Sequence, residues 1–121
     1  MRELPTESDA RPRRPGATIA VLAALTLPLG IAPAAAGDAA AGFAKAAICA
    51  SCHGPLGVSP VPSYPDIAGQ NPLYLDYALR RYRAGERQGG HAGMMYTVTQ
   101  PLSDEDIADL AAYYGGLPPR S

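Results

Sequence analysis

The sequence predicts an all-α domain over residues 37–121, with three main helices joined by long loops. Two runs carry apolar residues at helical spacing between a capping residue and a glycine, and a third is rich in alanine. No run alternates apolar with polar residues as a half-buried strand does. The stretches between the helical runs are crowded with proline and glycine, which interrupt regular structure.

Residues 1–36 lie outside that domain. Arg11, Arg13 and Arg14 precede an uncharged stretch from Ala17 to Ile31, and Pro33-Ala34-Ala35-Ala36 follows. This is the layout of a secretory signal peptide cleaved after Ala36. The competing reading is a retained membrane anchor, but 15 apolar residues interrupted by Pro28 and Gly30 are short for a spanning helix. Pro15-Gly16 after the arginine pair favours the general secretory route over twin-arginine export. The 85 residues that remain are few for a self-sufficient core, so a staple, metal or cofactor is expected. They carry eight acidic and six basic residues, a net charge of −2, which excludes a nucleic-acid-binding footprint.

Within the domain, residues 39–49 suit a short helix with Phe43, Ala46, Ala47 and Ile48. Residues 54–70 form an irregular loop holding Pro55, Pro60, Pro62 and Pro65. Asn71 caps a helix from Pro72 to about Ala84, with Leu75, Leu79 and Tyr82 on one face and Gly85 ending it. Residues 87–101 are a second loop, glycine-rich and then apolar through Met94-Met95-Tyr96. Ser103 caps the last helix, whose Asp104, Glu105 and Asp106 suit the positive end of its dipole. Ile107, Leu110, Ala111 and Tyr114 make its buried stripe.

Both cysteines fall in Cys49-Ala50-Ser51-Cys52-His53. Cys-x-x-Cys-His is the attachment pattern of c-type haem: two thiols add to two vinyl groups, and the adjacent imidazole faces the iron. A disulfide across two residues would constrain the unfolded chain very little. A thioredoxin-like pair needs strands, and a zinc site from Cys49, Cys52, His53 and His91 lacks a second spaced pair. His53 is thus the expected proximal ligand, with Met94, Met95 and His91 as candidates for the sixth position.

Taken with the order of motifs from Gly37-Asp38 through Cys49–Gly54, Ile67-Ala68-Gly69-Gln70, Arg83-Ala84-Gly85, Met94-Met95 and Leu102-Ser103-Asp104-Glu105, the chain resembles the class I c-type cytochromes, and among them the bacterial c4-type and small monohaem proteins. The resemblance implies the cytochrome c fold around one covalent haem c. It also implies Met95, seven residues before Leu102, as the axial methionine, with Met94 a packing neighbour. A proline carbonyl is expected behind His53, at Pro62 or else Pro60, and Tyr64 is expected near the haem plane. Gly42 is expected to let the first helix cross the last near Leu110 and Tyr113. With a single attachment motif the chain departs from the two-domain c4-type proteins, and Asp66 stands where a basic residue is frequent. Arg80, Arg81, Arg83 and Arg87 read as an ordinary solvated helix face. The implied function is periplasmic electron transfer in a respiratory chain between redox protein partners, as a monomer and not an enzyme. The alternative is a haem subunit held permanently in an oxidoreductase complex.

Overall fold

The computed structural model describes residues 36–121 and the isolated Gly16. The expected signal peptide, apart from Gly16 and its last residue Ala36, lies outside them. Five helices follow in order: α1 (Ala39–Lys45), α2 (Ala47–His53), α3 (Pro72–Arg83), α4 (Ala92–Thr99) and α5 (Asp104–Gly115), and no strand occurs among the described residues.

Capping chemistry sets the starts. Asp38 Oδ1 accepts from the N–H groups of Ala40 and Ala41, and Asn71 Oδ1 from those of Leu73 and Tyr74. Ser103 and Asp106 exchange hydrogen bonds in a reciprocal capping box at the head of α5.

Two elements differ from the sequence expectation. The first helix does not stop at Cys49. It tightens at Ala46, whose N–H reaches back three residues to the Phe43 carbonyl, and resumes as α2 through His53. The expected loop of residues 87–101 contains α4. Its glycine and β-branched residues are indifferent helix formers, so its support is tertiary. Thr99 is fully buried and donates to the Met95 and Tyr96 carbonyls, while Gln100 Nε2 donates to the Arg83 carbonyl at the end of α3.

The core is small, built from Ala46, Leu75, Leu110, Ala111, Tyr113 and Tyr114. The crossing of α1 on α5 organises it. A Cβ on Gly42 would lie 2.1 Å from the Asp109 carbonyl oxygen and 2.7 Å from Tyr113 Cβ, so only glycine permits this approach. Beside it the buried Asp109 carboxylate accepts from the Asp38 N–H at 2.7 Å and from Lys45 Nζ at 2.6 Å. The Lys45 ammonium holds the Asp109 carboxyl below the usual carboxylate range, with the Asp38 N–H adding to the effect. Gly42→Val is expected to destabilise the protein by about 1–3 kcal/mol or more through overpacking. Gly93→Ala, in open space on α4, should leave melting unchanged or raise it. Thermal melts of the two variants check this.

The arginines of α3 are committed within the fold. Arg80 pairs with Asp76 and Asp104, Arg83 with Asp104 and the Leu102 carbonyl, and Arg81 with Glu86, while Arg87 lies over the Tyr82 ring at 4.3 Å.

Candidate cofactor site

Helix α2 places Cys49, Cys52 and His53 at i, i+3 and i+4, and therefore on one face. That face forms part of the wall of a cleft of about 600 Å³. Leu75 and Leu79 of α3, Val98 of α4 and Leu110 of α5 give it apolar sides. Met94, Met95, His91 and Tyr64 all line it as well, so of the candidate haem residues the sequence singled out only Pro62 and its alternative Pro60 lie away from the cleft.

His53 is buried, and its Nδ1 lies 2.8 Å from the Pro65 carbonyl oxygen. A carbonyl can only accept, so Nδ1 carries a proton, and in the neutral ring Nε2 is then the nitrogen with the lone pair. The acceptor expected at Pro62, or else Pro60, is thus Pro65. The chain turns at residues 61–64, where the Tyr64 N–H bonds the Val61 carbonyl, and that turn carries Pro62 out into solvent. Pro62 borders a separate polar hollow with Ser59, Asp66 and Arg120. With several prolines in one loop, the sequence alone does not say which carbonyl returns to the ring.

Cys49 and Cys52 are not joined to each other in a disulfide. Among the described residues no group of three or more His, Cys, Asp or Glu side chains is arranged to hold a bare metal ion, so the donor set does not suit zinc. Burial pushes the Cys49 thiol up and holds it neutral. Burial, with Cys49 alongside, also raises the Tyr114 hydroxyl well above its ordinary range, and that hydroxyl faces the Ala46 carbonyl at 3.4 Å. Two thiols and an imidazole with a free Nε2 on one face, opening on a large apolar cleft, fit a planar apolar macrocycle that holds iron.

Met95 is half-buried, while Met94 is 47% exposed. Tyr64 is half-buried, and its ring centroid lies 5.1 Å from that of His91, an exposed residue at the start of α4. The sequence reading missed two features, the helix that carries Met95 and the Pro65 carbonyl. For α4 the available signal was Pro101, which bounds an apolar run of helical length.

Comparison with known proteins agrees with this geometry. The family described as Cytochrome c matches residues 38–117. Cytochrome c-554(548) of Halomonas halodenitrificans is 52% identical over 79 residues, which cover 65% of this chain and 95% of that protein. The crystal structure of reduced recombinant cytochrome c4 from Pseudomonas stutzeri superposes with a TM-score of 0.58 at 40% identity, over 69% of this chain and 47% of that one. A thiosulfate dehydrogenase (TsdBA) from Marichromatium purpuratum superposes with a TM-score of 0.63 at 35% identity, over 68% of this chain and 20% of that one. The chain spans about half the length of the cytochromes c4 it matches.

Proposed function

The chain belongs to the cytochrome c family, as an electron carrier with one covalent haem c, and on that premise we propose that it is an exported, freely diffusing carrier of the periplasm, with His53 and Met95 as the axial ligands. The observation that carries the ligand assignment is the cleft itself, which α2 enters with Cys49, Cys52 and His53 and α4 with Met95.

Haem c, when bound, supplies one-electron cycling between Fe(II) and Fe(III). Cys49 and Cys52 hold it by thioether bonds. His53 offers Nε2 in a fixed tautomer, and its bond to Pro65 strengthens it as a donor. Met95 offers a soft thioether, which favours the reduced state relative to a second histidine. Leu75, Leu79, Val98 and Leu110 exclude water, and Tyr64 packs at the cleft's edge. With His53 and Met95 both given to the iron, these residues would leave no position there for substrate chemistry.

Export in this reading rests on residues 1–36 as a cleaved signal, and transfer takes place within a respiratory chain. Among the described residues no helix is long and apolar enough to cross a membrane. A second reading, a haem subunit held in an oxidoreductase complex, draws on the likeness to the thiosulfate dehydrogenase. Purification from the periplasmic fraction tests the two. The carrier reading expects a haem-staining monomer whose first residue is Gly37. Stable co-purification with a catalytic subunit would replace it with the second reading.

A further inference from the structure

Asp66 and Arg120 form a junction behind the haem-attachment helix that the electron-transfer reading leaves unused. Arg120 Nε and Nη2 donate to the two carboxylate oxygens of Asp66 at 2.5 and 2.9 Å, and Nη2 also reaches the Ser59 carbonyl at 2.7 Å. Asp66 Oδ1 accepts from the Ser59 N–H at 2.7 Å, and Ser59 Oγ lies 3.0 Å from both the Cys52 and the Val61 carbonyl, which share its one proton. Asp66 directly follows Pro65, whose carbonyl holds His53 Nδ1 at 2.8 Å. Pro119 packs against Gly69, where a Cβ would lie 2.8 Å from the proline ring, so residues 118–120 lie along the back of this loop. The Arg120 guanidinium and the Ser59 N–H bring the Asp66 carboxyl down to about 2, so it stays charged at any working pH.

We propose that Arg120, acting through Asp66, is a positioning residue that holds the Pro65 carbonyl on His53 and so sets the donor strength of the ligating imidazole. The inference rests on the reading of His53 as the iron's ligand. A planar guanidinium bound to both oxygens of a carboxylate fixes orientation as well as distance, which a lysine cannot do. The fork joins a residue next to Pro65 to Ser59, whose hydroxyl reaches the Cys52 carbonyl in the attachment helix, so the loop is tied to the helix. A firm Nδ1–H···O=C bond gives the imidazole more anionic character, which favours Fe(III) and lowers the potential. Loosening it should raise the potential.

Removing Arg120 alone also removes a positive charge, which lowers the potential and opposes the expected shift. The decisive variants therefore keep the net charge: Asp66→Asn combined with Arg120→Gln, and Arg120→Lys alone. Spectroelectrochemistry on the haem-loaded proteins is expected to give an upward shift in both, larger in the double variant. ¹⁵N-histidine NMR is expected to show His53 Nδ1–H exchanging roughly 3- to 10-fold faster, as when a bond of ordinary net strength opens more often. Because an exposed ion pair adds little to stability, melting should stay near wild type. Arg81→Gln combined with Glu86→Gln, an exposed pair elsewhere, should move neither readout. An unchanged potential with unchanged exchange would overturn the proposal, as would a lowered melting temperature without either shift. Absence of any iron effect on the His53 ring resonances in the wild-type protein would instead overturn the ligand reading beneath it.

Discussion

Replacing Cys49 and Cys52 by alanine is expected to leave a chain without haem and without a cooperative native melt. The core explains why. Among the described residues the largest side chains with essentially no exposure are only Ile107, Leu110 and Thr99, and the hydrophobic core cluster is two alanines and two tyrosines beside Leu75 and Leu110. The apolar walls that α2, α3, α4 and α5 turn inward meet across a cleft of about 600 Å³. A sealed void of that volume would cost about 14 kcal/mol at roughly 24 cal/mol per Å³. Opening to water reduces the figure, but it is comparable with the whole stability of a small domain, about 5–15 kcal/mol. The chain without cofactor must therefore collapse or loosen. The capped ends of α3 and α5 and the Gly42 crossing should persist as fluctuating helix, because their bonds are local or involve few residues. Far-UV circular dichroism reduced from the loaded protein, with a broad thermal transition, is the expected result. A sharp melt within a few degrees of the loaded protein would contradict it.

Most of that architecture was legible in the chain, and what was not has a definite physical cause. Helices α3 and α5 were readable because Asn71 and Ser103 satisfy the first backbone N–H groups from within the segment, and glycine follows each. Gly42 was expected at the crossing from the resemblance, and the close contact it permits does need a missing Cβ. Helix α4 was not, since its caps and propensity are poor and its support comes from Arg83 and from the burial of Thr99, both remote in sequence. The Cys49–His53 motif announced the cofactor, but the continuation of helix through His53 depends on the turn at Ala46, which composition alone does not mark. Pro65 was missed for a similar reason. A carbonyl's partner is decided by where the loop turns, and the turn at residues 61–64 carries Pro62 away from the ring.

Helix α4 presents the two methionines differently, and their variants separate their roles. Met95→Ala is expected to abolish the sulfur-to-iron absorption band of the ferric protein and to open the iron to added imidazole or cyanide. The reduction potential should fall by on the order of hundreds of millivolts, within the span of about 0.8 V that axial ligands command. The sign follows from donor softness. A thioether favours Fe(II), and the water or hydroxide that replaces it favours Fe(III). Met94→Ala should keep the band and shift the potential little. Adjacent residues on a helix project about 100° apart, so α4 cannot aim both sulfurs at one point. Of the two, Met95 is the more buried, and its carbonyl is tied by the Thr99 hydroxyl at 2.8 Å within a helix anchored to α3 through Gln100. Met94, nearly half exposed, borders the cleft from its rim. Loss of the band in Met94→Ala with its retention in Met95→Ala would exchange the two roles. Retention in both would mean that either sulfur can serve, whereas absence of the band from the wild-type ferric protein would remove methionine from the site and leave His91, which lines the same cleft, as the residue to replace next.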